Sequence, residues 1–121
     1  MRGSLDNRIR EQSGRVGLGQ VQPGDGVTAV FYSDRRAFTV VRVSPSGKTL
    51  ELRQDIAIRT DGNGMSATQE YRYEEDPEYR ENNIPNDKAY WLPSKGHYSL
   101  GLASSGPWLI HGRHEYYDYS F

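Results

Sequence analysis

Residues 23–60 read PGDGVTAVFYSDRRAFTVVRVSPSGKTLELRQDIAIRT, and this stretch decides the fold. It contains three runs rich in β-branched and aromatic residues, at 27–32, 37–43 and 49–59. Such residues suit a pleated, half-buried surface, and short turns separate the runs. The stretch therefore predicts an antiparallel β-meander.

The distribution of apolar side chains predicts that the meander closes into a barrel. In the third run, four apolar residues alternate with polar ones and share a face that we expect to point inward: Leu50, Leu52, Ile56 and Ile58. The first two runs carry apolar residues on both faces, so both faces need cover. We therefore predict a mainly β fold, namely a small SH3-like antiparallel barrel with a flexible N-terminal arm and an aromatic C-terminal tail.

The remaining segments read as attachments to this barrel within a single domain. A chain of 121 residues is long enough for one modest core. We predict a glycine-rich, loose arm at 1–22 and a meander core at 23–77, which includes a fourth strand at 69–74. An acidic loop at 78–88 follows, and the returning strands and the tail occupy 89–121.

Two short apolar runs predict the returning strands. They lie at 89–92 and 107–110, and each contains one tryptophan, Trp91 and Trp108. The stretch between them, at 96–106, is too rich in Gly and Ser to predict a helix.

Composition excludes several classes of protein. The chain is 35% apolar and 26% charged, and its longest apolar runs are only a few residues. We therefore predict no membrane span and no secretory signal. The chain contains no cysteine, which excludes disulfides and thiolate metal sites and favours a cytoplasmic location.

The formal net charge is −1, but the two halves of the chain carry opposite charge. Residues 1–60 have ten Lys or Arg against six Asp or Glu, giving +4, and residues 61–121 have five against ten, giving −5. One interpretation is that the halves pack on each other or alternate on a solvated surface. The other is a basic face that receives an anion, with five candidate donors: Arg35, Arg36, Arg42, Arg53 and Arg59. A net charge of −1 argues against extended nucleic acid as a partner.

The first hairpin tip, at 33–36, and the tail, at 116–121, are candidates for contact with a partner. Loops at one end of a rigid barrel commonly form its binding surface, although a charged tip also serves simply to keep an edge soluble. Four of the last six residues are aromatic, so the tail either packs on its own barrel or anchors a partner. With the two tryptophans, the candidate contact residues of these segments are Asp34, Arg35, Arg36, Trp91, Trp108, Tyr116, Tyr117 and Tyr119.

Catalytic and metal-binding patterns are weak in this sequence. His111 and His114 would share a face only in a helix. The apolar run at 107–110 that precedes them has the pattern of a strand, in which this spacing places them on opposite faces. A zinc site without cysteine would need three or four ligands from a small set: His97, His111, His114, Glu115 and Asp118. No Gly-x-Ser-x-Gly nucleophile motif is present. We therefore predict no enzymatic activity, no cofactor and no metal site.

Two stretches carry a family resemblance: FYSDRRAFTVVRVSPSGKTLELRQDIAIRTDGNGMSATQEYRYEEDP at 31–77 and GRHEYYDYSF at 112–121. They resemble small uncharacterised accessory proteins encoded by tailed phages and prophages. The resemblance implies a protein that acts by binding in the host cell cytoplasm. It carries over no functional residues, because none are assigned in that family. The meander also resembles SH3-like or KOW-type barrels, which is a fold analogy and implies no function.

Three hypotheses of function follow. The leading one is a non-enzymatic binding module that engages and inhibits a host factor, for example a defence component. Nine tyrosines and two tryptophans also suit sequestration of a nucleotide-type signalling ligand by a homo-oligomer, in a pocket that combines arginines with Tyr or Trp. The third is a small hydrolase or metal enzyme that uses the C-terminal histidines. The expected partner is thus a host protein or a small anionic ligand.

Overall fold

The computed structural model describes residues 14–31, 33–62, 64, 68–81, 85–101 and 106–117. Within these ranges the chain forms eight strands and one helical turn: β1 (Gly26–Val30), β2 (Arg35–Val43), β3 (Thr49–Gln54), β4 (Ile56–Arg59), β5 (Tyr71–Glu74), α1 (Glu78–Glu81), β6 (Asp87–Leu92), β7 (His97–Leu100) and β8 (Trp108–His111).

Six of these strands form a closed antiparallel barrel in the order β1-β2-β3-β6-β7-β8. The first and last strands complete it, with Val27 opposite His111 and Val30 opposite Trp108. The predicted mainly β fold, built on a small antiparallel barrel, is confirmed. Closure pairs the strand edges that an open sheet would expose.

The barrel core contains the inward face that the alternation predicts for β3. Leu50 and Leu52 are fully buried there, and Tyr98 on β7 is the largest fully buried side chain. Burial of a large apolar side chain contributes about 1.5 to 3 kcal/mol, so this cluster is the main source of stability. Its other members are Val16, Val21, Val27, Ala29, Phe38, Val40, Ala89 and Leu109.

The third predicted run is wrong beyond Gln54, because the strand leaves the barrel at Asp55. β4 pairs with β5 in a separate two-stranded sheet, which we call the ribbon. Ile56, which we expected to point inward, is 38% exposed. The backbone N–H of Asp55 still donates to Ala37 O (3.0 Å), and its carboxylate accepts a hydrogen bond from Arg113 Nε (2.8 Å) at the point where the strand leaves the barrel.

The sequence does not predict β7, which lies within the Gly- and Ser-rich stretch at 96–106. His97, Tyr98 and Ser99 are buried in succession, so this strand shows no alternation of apolar and polar residues. A strand of four residues without alternation gives no periodic signal.

The predicted returning strands at 89–92 and 107–110 are confirmed as β6 and β8. The predicted acidic loop at 78–88 is only partly a loop, because α1 occupies its first four residues and β6 begins before its end. Residues 82–84 lie outside the described residues. In the part of the chain that the structure describes, no helix is long and apolar enough to span a membrane.

Residues 1–13 of the predicted arm lie outside the described residues, whereas the rest of it packs on β8. The Val16 N–H donates to Leu109 O (3.0 Å). Val16 is fully buried and Val21 nearly so, which places both in the core. Residues 14–22 are therefore part of the barrel and not a loose arm.

Candidate functional site

The hairpin tip and the tail, which the sequence predicts as separate contact segments, meet in one surface. The Arg35 N–H donates to Tyr116 O (2.8 Å), and the Tyr116 N–H donates to Arg35 O (2.9 Å). Tyr119, the remaining tail candidate, lies outside the described residues. We call this junction the tip-tail surface, and it consists of Phe31, Asp34, Arg35, Arg36, Tyr116 and Tyr117.

Arg36 stabilises this junction from within. Its guanidinium contacts Asp34 (Nη2–Oδ2 3.2 Å) and Glu115 (Nη1–Oε2 3.0 Å) and lies 5.4 Å from the ring centre of Tyr117. The Glu115 carboxylate is shielded from solvent and also accepts the Ala37 N–H (2.7 Å). A shielded carboxylate needs such partners, so Arg36 is committed to contacts within the chain.

Arg35 is the exposed cation of the tip-tail surface. Its backbone is fixed by β1 on one side and by Tyr116 on the other. Its side chain is exposed and has no ion-pair partner among the described residues. Two hollows of about 280 and 490 Å³ flank Arg35 and Tyr116, while Phe31 and Tyr117 are 39% and 43% exposed. The surface thus combines an exposed positive charge with exposed aromatic rings.

The tail is docked on the ribbon side as far as Tyr117. The amide of Gln69 donates from Nε2 to Tyr117 O (2.6 Å) and accepts the Tyr117 N–H at Oε1 (3.0 Å). The hydroxyl of Tyr73 accepts the Glu115 N–H (2.9 Å). Burial raises the pKa of Tyr73, so this hydroxyl keeps its own proton at neutral pH. Of the two alternatives for the tail, packing on its own barrel is the one observed at residues 116–117.

The other three predicted arginines lie apart from the tip-tail surface. Acidic or amide acceptors interrupt the predicted basic face, so these arginines do not act as one anion site. Each contacts an acceptor of its own: Arg42 with Glu51 (3.5 Å), Arg53 with Asn86 (2.9 Å) and Arg59 with Asp61 (2.5 Å).

The two predicted tryptophans make contacts within the fold. Trp91 lies edge-on to Tyr98, with ring centres 5.1 Å apart. Trp108 lies under the guanidinium of Arg15, at 4.8 Å from its ring centre. Both rings are half-buried, and they support the core and the segment at 14–22.

A cleft of about 610 Å³ separates the barrel from the ribbon. Arg113 donates from Nε to Asp55 Oδ2 and from Nη2 to Thr39 Oγ1, both at 2.8 Å. The Thr39 hydroxyl donates in turn to Asp55 Oδ1 (2.6 Å). The Asp55 side chain is only 5% exposed, so these charge-assisted bonds replace its hydration. The network forms the floor of the cleft and ties the tail to the barrel wall.

Sequence reasoning missed Asp55, Arg113 and Glu115 as organising residues. Each occupies a position where a charged residue is ordinary, and no motif marks it. The one sequence feature that points to contacts of this kind is the opposite net charge of residues 1–60 and residues 61–121. Three ion pairs with a shielded carboxylate each join one half of the chain to the other: Arg113 with Asp55, Arg36 with Glu115 and Arg59 with Asp61.

Two of the histidines lie near the tail without forming a catalytic group. His111 Nε2 is 3.1 Å from Gln20 Oε1, and the backbone N–H of the exposed His114 donates to Thr28 Oγ1 (2.8 Å). Among the described residues, no three His, Asp or Glu side chains are grouped so as to hold a metal ion. The geometry therefore gives no support to chemistry at these histidines.

His97 is expected to make the stability of the barrel depend on pH. It is buried, and its Nδ1 lies 3.4 Å from Arg15 Nη1. Burial first, and then the positive charges of Arg15 and Lys95, lower the pKa of His97 below its ordinary value of 6.5. The unfolded chain therefore binds this proton more tightly than the folded chain.

The free energy of unfolding should consequently fall as the pH drops from above 6.5 toward the lowered pKa. Urea denaturation at about pH 7.5 and about pH 5.5 measures this loss. His97→Asn keeps a hydrogen-bond acceptor but cannot titrate, so its loss should be smaller than that of the wild type. Equal losses in both proteins would contradict this role for His97.

Comparison with known proteins adds no identification. No protein-family model matches the chain, and no curated protein or solved structure is significantly similar to it.

Proposed function

We propose that this chain is a non-enzymatic binding module and that the tip-tail surface is its contact surface. The supporting observation is the exposed side chain of Arg35, which lines a hollow together with the exposed ring of Phe31 and with Tyr116. Arginine and aromatic side chains supply most of the binding energy at protein interfaces. The β-bridge to Tyr116 fixes the backbone before a partner arrives, which lowers the entropy cost of binding.

A partner protein that presents a carboxylate fits this surface best. Asp34 and Glu115 neutralise Arg36, whereas Arg35 forms no ion pair with any residue that the structure describes. A carboxylate accepts two parallel hydrogen bonds from a guanidinium, and aromatic rings at its sides exclude water. The resemblance to tailed-phage accessory proteins adds a class of partner to the proposal, namely a host-cell protein. Proteins of host defence systems are the first group to test. Binding would inhibit such a protein by covering its active site or the surface that contacts its own partners.

Reversing the charge of Arg35 is expected to abolish partner capture without unfolding the barrel. Arg35→Glu places a carboxylate where the acid of the partner would lie, and the loss should reach at least about 30-fold in affinity, as at other interface hot spots. Immobilised wild type and variant are exposed to lysate from bacteria that carry phage-defence systems. Retained proteins are identified by mass spectrometry, and the affinity of each purified partner is then measured by calorimetry.

Arg42→Glu is the matched control for this experiment. Arg42 is also an exposed barrel arginine, but it lies outside the tip-tail surface. Arg36→Glu is unsuitable, because it would set a carboxylate against the shielded carboxylate of Glu115 and loosen the junction. A partner that binds wild type and Arg35→Glu equally well would remove the tip-tail surface from the proposal.

A nucleotide-type ligand is the second candidate, and the larger hollow beside Arg35 favours it. Tyr71 and Tyr116 line this hollow together with Arg35, so a base could stack while a phosphate meets the guanidinium. Thermal melting across a nucleotide panel tests the idea. A true ligand should stabilise the fold by about 2.7 kcal/mol at a hundredfold excess over its Kd. The absence of any shift would leave the protein partner as the single proposal.

A further inference from the structure

The cleft between the barrel and the ribbon has the size of a small-ligand site. Its volume is about 610 Å³, within the range of roughly 300 to 1,000 Å³ that is typical of ligand pockets. Pro23 and Val41 line it on the barrel side, and Tyr73 lines it on the ribbon side, so part of the wall is apolar. None of these residues belongs to the tip-tail surface, although Tyr73 and Arg113 also line the larger hollow beside Arg35.

The two arginines that line the cleft are already compensated within the chain. Arg113 pairs with the shielded carboxylate of Asp55 at 2.8 Å. Arg53 donates from Nε to Asn86 Oδ1 (2.9 Å), and its Nη1 lies 3.7 Å from Glu75 Oε1. An incoming anion would therefore compete with an existing carboxylate at each guanidinium. The arginines alone do not make this cleft an anion site.

Negative charge exceeds positive charge in the cleft lining. Glu74 also borders the cleft, but its carboxylate pairs with Arg72 outside it (3.0 Å). The three remaining carboxylates, Asp55, Glu75 and Asp76, stand against two guanidinium groups, which leaves an excess of one negative charge. Glu75 and Asp76 follow directly after β5, beside the apolar wall. A cleft lined by an excess of one charge attracts ligands of the opposite charge.

We propose that this cleft binds a positively charged group at the end of an aliphatic stem, that is, an ammonium or a guanidinium. The stem packs against Pro23 and Val41, and the cation lies between the Tyr73 ring and the carboxylates of Glu75 and Asp76. Two sources carry this chemistry, a free small cation and the Lys or Arg side chain of a protein. The inference holds whether or not the tip-tail surface binds a partner.

Titration of the isotope-labelled protein, followed by nuclear magnetic resonance, tests the inference with two probes. Agmatine is a free aliphatic guanidinium, and acetyl-Gly-Arg-Gly-amide carries the same group on a peptide. Both should cause saturable shifts at the amides of Val41 and Tyr73, and added salt should weaken both. Tighter binding of agmatine assigns the site to free cations, and tighter binding of the peptide assigns it to a basic side chain.

The double variant Glu75→Gln, Asp76→Asn removes two charges with little change of shape. Asparagine at position 76 can still accept the Glu78 N–H that Asp76 now accepts at 2.9 Å, so the variant should fold. We expect about fivefold weaker binding of both probes. Glu70→Gln removes one charge outside the cleft and should leave binding unchanged. Arg35→Glu should also bind normally, which separates this site from the tip-tail surface.

Three results would overturn the inference. The first is the absence of saturable shifts with either probe in the millimolar range. The second is unchanged probe binding in the double variant, and the third is tighter binding of adenosine monophosphate than of agmatine in the cleft. The last result would mean that the arginines, and not the acids, determine the ligand.

Discussion

Replacing Arg113 with methionine is expected to lower the free energy of unfolding by roughly 3 kcal/mol, because the change leaves a shielded carboxylate without its charged partner. Arg113 donates to both Asp55 and Thr39 at 2.8 Å. Its own side chain is about one-third exposed, so we place the effect at the lower end for shielded ion pairs. Methionine fills a similar volume, and urea denaturation at neutral pH measures the loss.

Arg72→Met is the matched control. Arg72 pairs with Glu74 at 3.0 Å, but both side chains are more than half exposed, so its loss should stay within about 0.5 kcal/mol. Adding Asp55→Asn to the Arg113→Met variant removes the stranded charge and should recover part of the stability. If Arg113→Met cost no more than Arg72→Met, the network at the floor of the cleft would not be a stabilising clamp.

Two charged side chains of the tail, Arg113 and Glu115, act as clamps that hold the tail against β2 next to the tip-tail surface. Arg113 reaches Thr39 and Glu115 reaches Ala37, so the tail runs past β2 in the opposite direction. Loss of the first clamp leaves the second, which stands next to the β-bridge at Tyr116. Arg113→Met should therefore reduce stability more than it reduces partner binding.

The barrel could be predicted from sequence because its signals are local. The alternation at Leu50 and Leu52 and the two short hairpin turns depend only on neighbouring residues. The break at Asp55 could not be predicted from local pattern, because Arg113, which holds the Asp55 side chain, lies 58 positions away in the chain. The alternation is interrupted at Gln54, which takes an inward position in the pattern, and it resumes at Ile56 and Ile58. A single polar residue does not by itself predict that the strand leaves the barrel at this point.

The candidate site could be predicted only in pieces. Composition indicates the basic tip and the aromatic tail, but their junction depends on the bridge between Arg35 and Tyr116, which no local pattern encodes. For the same reason Arg36 reads as available to a partner until Glu115 is placed beside it. Among the described residues the predicted arginines do not form one basic face, because four of them contact acidic or amide acceptors: Arg36, Arg42, Arg53 and Arg59. The ion pairs across the halves support the interpretation that the two halves pack on each other.

Truncating Tyr98 to alanine is expected to lower the free energy of unfolding by about 4 kcal/mol, because it opens a cavity in the middle of the barrel. The ring is fully buried and packs edge-on against Trp91. Small domains are stable by only about 5 to 15 kcal/mol, so this single change should remove much of the total. The denaturant midpoint measures it, and a loss below that of Arg113→Met would contradict a central role for this ring.

Tyr98→Phe separates the hydroxyl from the ring. The hydroxyl donates to Gly47 O in the turn between β2 and β3, and it accepts the Gly19 N–H (3.4 Å) from the segment at 14–22. Burial raises the pKa of Tyr98, so the proton that Gly47 accepts is retained at neutral pH. Removing the hydroxyl leaves that carbonyl without its buried donor, at an expected cost of about 1 to 2 kcal/mol.

Amide hydrogen exchange shows whether this hydroxyl also holds the two turns together. The Gly47 N–H closes its turn on Ser44 O (2.8 Å), and the Val40 N–H donates to Asp25 O (2.8 Å) away from Tyr98. In Tyr98→Phe, exchange should accelerate more at Gly47 than at Val40, because a local opening adds to the global loss. Equal acceleration at both amides would mean that the hydroxyl contributes only to global stability. The stabilisation that Tyr98 gives to this local region would then come from the packing of its ring alone.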